Sequence, residues 1–418
     1  MIDRQRETAA LAAIDVVQIV TDTCDLIRGR GENPGDTEQD TVLRLKAICE
    51  RIGATVTLQD VAPGRPNLRA GIGPEDAPAV LFLGHSDVVP VGAGWTGDPF
   101  EPRIHDGLIT GRGASDMRGG IAAVIAAMSA VAAVAPDVRL ELLCTVDEED
   151  RATGVHSALA FDPPRPYLAC IVAEPTNLDV VIGCRGATNF IVELTGASAH
   201  AGRPEDGASS IYAANELMTL VRQHNDAALR AGRDPLLGGP SWNVGTIDGG
   251  SGTSMVPRRT TVTIDRRTMP GEDPTAILDH LLAETKTAIE SSGIANADQI
   301  SLRGEVDMQM PGFHTDPGAP IASVASDALR ELGTTGTLTG WTAACEGGFI
   351  AQRYGTPTII LGPGDINTQA HQPDENVSID QLTTAARVYA LIALRLNESH
   401  TGTSPYPITV DHELRPAR

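Results

Sequence analysis

Four short apolar runs in this chain lead into residues able to bind a hard or borderline cation. AVLFLG (79–84) is followed by His85, Ser86 and Asp87, VRLELLCTV (138–146) by Asp147, Glu148 and Glu149, LACIVA (168–173) by Glu174, and TPTIILG (356–362) by a loop carrying His371. A fifth candidate, Asp116, closes the segment GRGASD just ahead of an Ala-rich stretch. Two imidazoles and several carboxylates, with no thiolate among them, form an N/O donor set that suits Zn²⁺ best and Co²⁺ or Mn²⁺ next. His85 and Asp87 lie two apart on an extended segment and project from one side, which suits a carboxylate that fixes the imidazole tautomer. Glu148 and Glu149 are adjacent and cannot both point one way on a regular strand, so one can ligate while the other acts as a base. Singly, each residue has a plainer reading: a hydrogen-bonded histidine, a solvated acidic loop, or a helix N-cap for Asp116. Their recurrence at separate strand ends favours one shared crevice.

The runs themselves have the length and Val/Leu/Ile content of strands buried on both faces in a parallel sheet. Between the first two, the helix expected over 118–135 supplies a crossover of the βαβ type. In open α/β sheets ligands bind beyond the carboxyl ends of the strands, which is where these side chains fall. Helical periodicity also marks 7–29, 38–52, 320–332 and 379–396. From about 188 the texture changes: NFIVELTGASAH alternates, 208–231 is an amphipathic helix, RRTTVTIDRR alternates again, and 274–292 is another helix. The expected fold is therefore α/β, an open and mostly parallel sheet flanked by helices over 1–187 and 303–418. An α+β lid or dimerisation domain over 188–302 is inserted into it. Residues after about 397 read as a polar, Pro-containing tail.

With 418 residues, 41% of them apolar, the chain is long enough for two or three domains with large cores. Aromatics are only 3%, so those cores are aliphatic. The formal net charge of −22, with 32 Lys+Arg against 54 Asp+Glu and no basic run, argues against nucleic acid or an anionic membrane surface as partner. The six cysteines, at 24, 49, 144, 170, 184 and 345, show no CxxC and read as reduced thiols in a cytoplasmic protein. Acidic residues at 3, 7 and 15 argue against an N-terminal signal peptide, and the apolar stretch 121–135 is too short to span a bilayer.

Seven blocks extend the pattern: GHSDVVP (84–90), GRGASDMRGG (111–120), TVDEED followed by Gly154, AEPT (173–176), GASAHAGRPEDGASS (196–210), DRRTMPGE (265–272) and LGPGDINTQAHQPDENV (361–377). Together, and in this order, they resemble the zinc amidohydrolases and exopeptidases that include acetylornithine deacetylase and succinyl-diaminopimelate desuccinylase. GPGDIN and AHQPDE bring them nearest to the deacetylase branch. The resemblance implies a two-zinc catalytic domain and an inserted lid that often dimerises. It implies one metal held by His85, Asp116 and Glu174, and a second held by Asp116, Glu149 and His371, with Asp116 bridging. Asp87 would orient His85, and Glu148 would be the general base that takes a proton from water as it attacks an amide carbonyl. His200 of the lid would reach a neighbouring subunit's site and stabilise the oxyanion. Arg267 would bind the substrate carboxylate through its planar fork.

Three departures from that pattern bear on specificity. Arg151 stands two residues after the Glu-Glu pair, where relatives have Gly. Ser254 stands where an Asn commonly precedes a Val/Ile-Pro pair, and Cys345-Glu346-Gly347-Gly348 replaces a Thr-Asp or Thr-Glu segment. Ser254 and Gly347 are therefore the further substrate-contact candidates. The function expected is cleavage of the amide of an N-acyl amino acid or a similar small carboxylate-bearing amide. A dipeptidase or carboxypeptidase-like enzyme of the same fold is the alternative, and a metal-binding but inactive scaffold stands behind both.

Overall fold

The continuous helix expected over 7–29 is two helices, Arg4–Ala13 and Val16–Arg28. Asp15 breaks it: its side chain accepts from the Gln18 N–H and caps the second helix, a local bond that competes with helix continuation. The computed structural model describes residues 3–161, 165 and 167–400, so the expected tail from 401 onward lies outside the described residues. Before that point the last helix, Ile379–His400, runs past the expected end.

The described chain forms two compact units. One comprises the residues up to Gly183, His314–Gly340 and those from Glu346 onward, and the other Cys184–Phe313 with Trp341–Cys345. The contact boundary differs from the expected 188 and 302 because strand Gly186–Thr195 begins earlier, and Ser301–Met310 is a full strand of the second unit. The alternation of SLRGEVDMQM is too polar to announce that strand.

In the first unit, Arg139–Thr145, Ala79–His85, Tyr167–Val172 and Thr358–Ile360 lie side by side and parallel. Residues along the first three are buried throughout, as continuous apolar runs in a parallel sheet require. An antiparallel hairpin, Thr55–Ala62 and Arg65–Ile72, extends the sheet at one edge. It was not expected, because its polar positions hide the alternation. Register aligns the functional ends: His85 is level with Thr145, and Leu83 with Val172. Residues 147–149 and Glu174 therefore leave the sheet beside His85.

Helix Gly119–Val134 is buried over most of its length. The described residues contain one helical stretch, Ala114–Val134, long and apolar enough to cross a bilayer, and 72% of its apolar window is buried inside the protein. It is a core helix, and small residues let it sit close. A Cβ on Gly120 would lie 2.1 Å from the carbonyl oxygen of Ala173, the residue before Glu174.

The second unit is a four-stranded antiparallel sheet in the order Ser241–Gly249, Arg259–Thr268, Gly186–Thr195, Ser301–Met310. Helices Ser210–Arg230 and Pro274–Ser291 cover one face, burying Phe190, Val192, Leu194, Val262 and Ile264 against Leu217, Val221, Leu278 and Leu281.

Gly to Ala inside a helix ordinarily stabilises, by about 1 kcal/mol. Gly120→Ala is expected to do the reverse, destabilising by about 1–3 kcal/mol through overpacking against Ala173. Denaturant unfolding reads the sign.

Candidate metal centre

Parallel strands end where their backbone hydrogen bonding stops, so side chains just beyond them are free to converge. His85 closes its strand and is 1% exposed. Its Nε2 lies 3.2 Å from Asp116 Oδ1 and 3.4 Å from Glu174 Oε1. His371 Nε2 lies 3.3 Å from Asp116 Oδ2 and 3.2 Å from Glu149 Oε2. The two oxygens of Asp116 thus each face a different imidazole. The donor atoms of His85, Asp116 and Glu174 lie within 4.8 Å of one another, and so do those of Asp116, Glu149 and His371. His371 sits at φ 64°, a left-handed conformation that is costly for a residue with a Cβ and typical of functional positions.

The loops are held from behind. Asp87, fully buried, accepts the backbone N–H groups of Glu148 and Glu149 at 3.2 and 3.1 Å. Its carboxylate also accepts from Asn33 Nδ2 at 2.9 Å, and the same amide nitrogen donates to Asp147 at 2.9 Å. His85 Nδ1 lies 3.0 Å from the Asp87 carbonyl oxygen and 3.5 Å from its carboxylate. Asp87 therefore meets the imidazole through both its backbone carbonyl and its carboxylate, and the carboxylate also fixes the Glu148–Glu149 turn. Asp116 is held in turn by Glu375, which accepts the N–H groups of Gly113, Ser115 and Asp116 at 3.0, 2.8 and 3.0 Å and pairs with Arg112 at 2.8 Å. Sequence reasoning missed Asn33 and Glu375. Glu375 lies in the quoted AHQPDE block, but nothing in its spacing distinguishes it from a surface acid.

Electrostatics follow from packing carboxylates together out of water. Burial and the charge of Asp116 push Glu174 up to about 7. Burial and the surrounding carboxylates raise Glu148 well above its ordinary value, and burial with Asp116 raises Glu149. Asp116 itself, despite its burial, is held below the ordinary range by His371 and His85. His371, bonded to Asp116 and Glu149, is pushed up to about 10. Glu346, also missed, is buried at the start of helix Gly347–Tyr354, bonds the Thr145 hydroxyl, and is raised by burial to about 8.

A nitrogen and oxygen donor set with a shared carboxylate and such excess acidity fits a pair of divalent cations. Among the described residues the second carboxylate oxygen of Glu149 is buried with no hydrogen-bond partner, as expected of a group whose partner is a cation.

The other expected site residues fall as follows. Gly347 opens its helix in the first unit. His200, Ser254 and Arg267 belong to the second. His200 is exposed on a loop bridged to Met255, and its Nδ1 accepts the Gly202 N–H at 3.0 Å. The Ser254 carbonyl accepts from Ala201. Arg267 is partly exposed, with Nε donating to Asp265 at 3.1 Å.

Donors of this kind, gathered beyond the carboxyl ends of parallel strands, suit metal-assisted hydrolysis on an α/β fold. The chain belongs to Peptidase family M20/M25/M40, whose pattern matches residues 81–395, and is a metal-dependent amidohydrolase. It is 30% identical over 362 residues to acetylornithine deacetylase of Vibrio vulnificus, covering 84% of this chain and 92% of that one. It is also 30% identical over 353 residues to the Proteus mirabilis enzyme of that name, covering 82% and 87%. Among solved structures, a di-peptidase from Saccharomyces cerevisiae superposes with a TM-score of 0.73 at 15% identity, covering 94% of this chain and 98% of that one. A dinuclear metal-binding M20 peptidase from Bacillus subtilis superposes at 0.66 and 15% identity, covering 91% and 97%.

Ligation requires neutral imidazole and ionised carboxylate, so metal binding must expel the protons that Glu174, at about 7, and His371, at about 10, hold in the metal-free chain. Affinity is therefore expected to rise with pH from below 7 towards 10. Calorimetric titration of the metal-free protein with Zn²⁺ in buffers of different ionisation enthalpy should show more protons released per metal at pH 7 than at pH 9.5.

Proposed function

We propose that this amidohydrolase is a di-zinc deacylase acting on N-acyl amino acids or similarly small amides that carry a free carboxylate. The observation that supports it best is the pair of donor trios sharing Asp116, with Glu148 adjoining Glu149. In this reading His85, Asp116 and Glu174 hold one metal, and Asp116, Glu149 and His371 the other. Zn²⁺ fits the donors best, with Co²⁺ and Mn²⁺ as substitutes. Bound there, the ions would lower the pKa of water and polarise the amide carbonyl.

The chain's own residues carry the proton traffic. Glu148 takes the proton of the attacking water and returns it to the leaving amine, and its raised proton affinity suits both steps. Asp87 keeps Glu148 and Glu149 in place through their N–H groups. Arg267 is the residue suited to receive the substrate carboxylate through its planar fork, and Ser254 and Gly347 are the further substrate-contact candidates. His200 reaches the site of a second subunit and donates to the carbonyl oxygen as charge builds on it, which requires a homodimer joined through the lid domain. Six buried free cysteines support a cytoplasmic location.

Relatives named acetylornithine deacetylase favour an acylated amino acid over a dipeptide. The di-peptidase among the structural neighbours sustains the peptidase reading as second choice. Amine release from N-acetyl, N-succinyl, N-formyl and N-carbamoyl amino acids and dipeptides, with Zn²⁺ or Co²⁺ supplied, separates the two. Turnover of one acyl class is expected. Preference for dipeptides with a free α-amino group would replace the deacylase reading by the peptidase one. Glu148→Gln should cut kcat by about 10²–10⁴-fold with both metals still bound, and near-normal turnover would remove Glu148 as the base.

The dimer is tested separately. Sedimentation velocity is expected to find two chains, and His200→Ala should lower kcat about 10²-fold without dissociating them. A fully active monomer would refute the shared site.

A further inference from the structure

The Asp87 carboxylate holds the N–H groups of Glu148 and Glu149, and what fixes that carboxylate lies behind it in the first unit. Its Oδ2, the atom that accepts from Glu149, also accepts from Asn33 Nδ2 at 2.9 Å. An amide nitrogen carries two hydrogens. The second goes to Asp147 Oδ1, again at 2.9 Å, so the direction of the Asp147 carboxylate sets that of the amide. Asp147 stands at φ 65°, a left-handed conformation that persists in a residue with a Cβ only where its surroundings hold it. Its Oδ2 accepts from the Thr153 hydroxyl at 2.6 Å and the Thr153 N–H at 3.3 Å, and its Oδ1 accepts from Arg65 Nη1 at 3.2 Å.

Arg65 opens the strand Arg65–Ile72, and its guanidinium is bonded to two of the three acids gathered here. Besides Asp147 it meets Glu38, with Nη2 on Oε1 at 2.6 Å and Nε on Oε2 at 2.8 Å, the planar fork that only an arginine supplies. Glu38 is buried and accepts the Asp147 N–H at 3.3 Å, so the pair grips Asp147 by side chain and backbone together. Arg118 is the other buried guanidinium facing Asp87 and Glu38, but it directs its donors to the carbonyls of Ile27, Arg30 and Ser86 and to the Thr41 hydroxyl. Without Arg65, the carboxylates of Asp147 and Asp87 would meet across one amide with no cation bonded to either. Like charges so close and so buried repel, and the one free to move carries the Glu148–Glu149 turn with it.

We propose that Arg65 is a positioning residue for the hydrolysis, one that aims Glu148 at water and Glu149 at its metal through Asp147, Asn33 and Asp87 while touching neither substrate nor metal. The links from Arg65 to the Glu149 N–H measure 3.2, 2.9, 2.9 and 3.1 Å in turn. This role rests on the two-metal deacylase reading.

The test is Arg65→Met, which keeps a long side chain and removes the cation. Calorimetric titration of the metal-free chain with Zn²⁺ is expected to show about tenfold weaker binding in the step that Glu149→Gln abolishes, and a change of less than about threefold in the other step. On whichever amide the wild type cleaves, kcat at saturating Zn²⁺ should fall about tenfold, with KM moving less than about threefold. Arg65→Lys, which returns a charge to Asp147 without the fork, should recover most of both losses. Since Arg65→Met leaves Glu38 buried and unpaired, Arg65→Met with Glu38→Gln removes that charge too and should show the same two losses at a near-native denaturation midpoint. An arginine that serves the fold alone would lower the midpoint and leave the binding steps and kcat unchanged. That result, equal weakening of both steps, or an Arg65→Lys variant no better than Arg65→Met would overturn the proposal. A wild type that binds two Zn²⁺ and cleaves no amide would remove the deacylase reading, and the selective loss of one binding step would still decide the role of Arg65. A wild type that binds no Zn²⁺ would overturn both.

Discussion

Holding acidic groups together in a dry crevice is the constraint that organises this molecule. Asp116, Glu148, Glu149 and Glu174 gather around two imidazoles at one end of a parallel sheet, where each added negative charge raises the cost of the next. Without cations, protons do part of the balancing. That is why Glu148, Glu149 and Glu174 are raised, and why His371 holds its proton so firmly. The donor set and its raised carboxyl proton affinities are two aspects of one electrostatic problem.

The rest of the first unit answers it by fixing backbone. The parallel register delivers His85, the 147–149 turn and Glu174 to one level, and a glycine at 120 lets the core helix lie against the strand that carries Glu174. Buried acids that ligate nothing then complete the frame. Asp87 gathers the N–H groups of the Glu148–Glu149 turn, and Glu375 those of the loop bearing Asp116. Charged acceptors of backbone N–H groups make strong hydrogen bonds, so each acid rigidifies a ligand loop.

Much of this was legible in the sequence. Continuous apolar runs gave the parallel strands, and the His and carboxylate residues at their ends marked where the donor side chains gather, because both depend on local pattern. Two helices in place of one over 7–29, and the polar strands 55–62 and 301–310, were not legible, since a single Asp cap or a polar-rich alternation leaves little hydrophobic periodicity to read. The supporting residues were harder still. Asn33 joins Asp87 to Asp147 across 54 and 114 positions, and Glu346 bonds Thr145 across 201, so no window of sequence contains both partners. Asp87 was expected to steer His85 with its carboxylate. The structure places that carboxylate 3.5 Å from the imidazole and adds the Asp87 carbonyl at 3.0 Å, while the same carboxylate also holds the neighbouring loop, a second use the sequence did not announce.

The clasp between Glu375 and the 113–116 loop spans about 260 residues of chain. During synthesis the amino-terminal half of the crevice, with His85, Asp116 and Glu174, leaves the ribosome long before the acid that immobilises Asp116. His371 emerges just ahead of that acid. Until Glu375 is made, the backbone N–H groups of Gly113, Ser115 and Asp116 lack the carboxylate that accepts them, so the conformation of this loop is completed by chain synthesised about 260 residues after it.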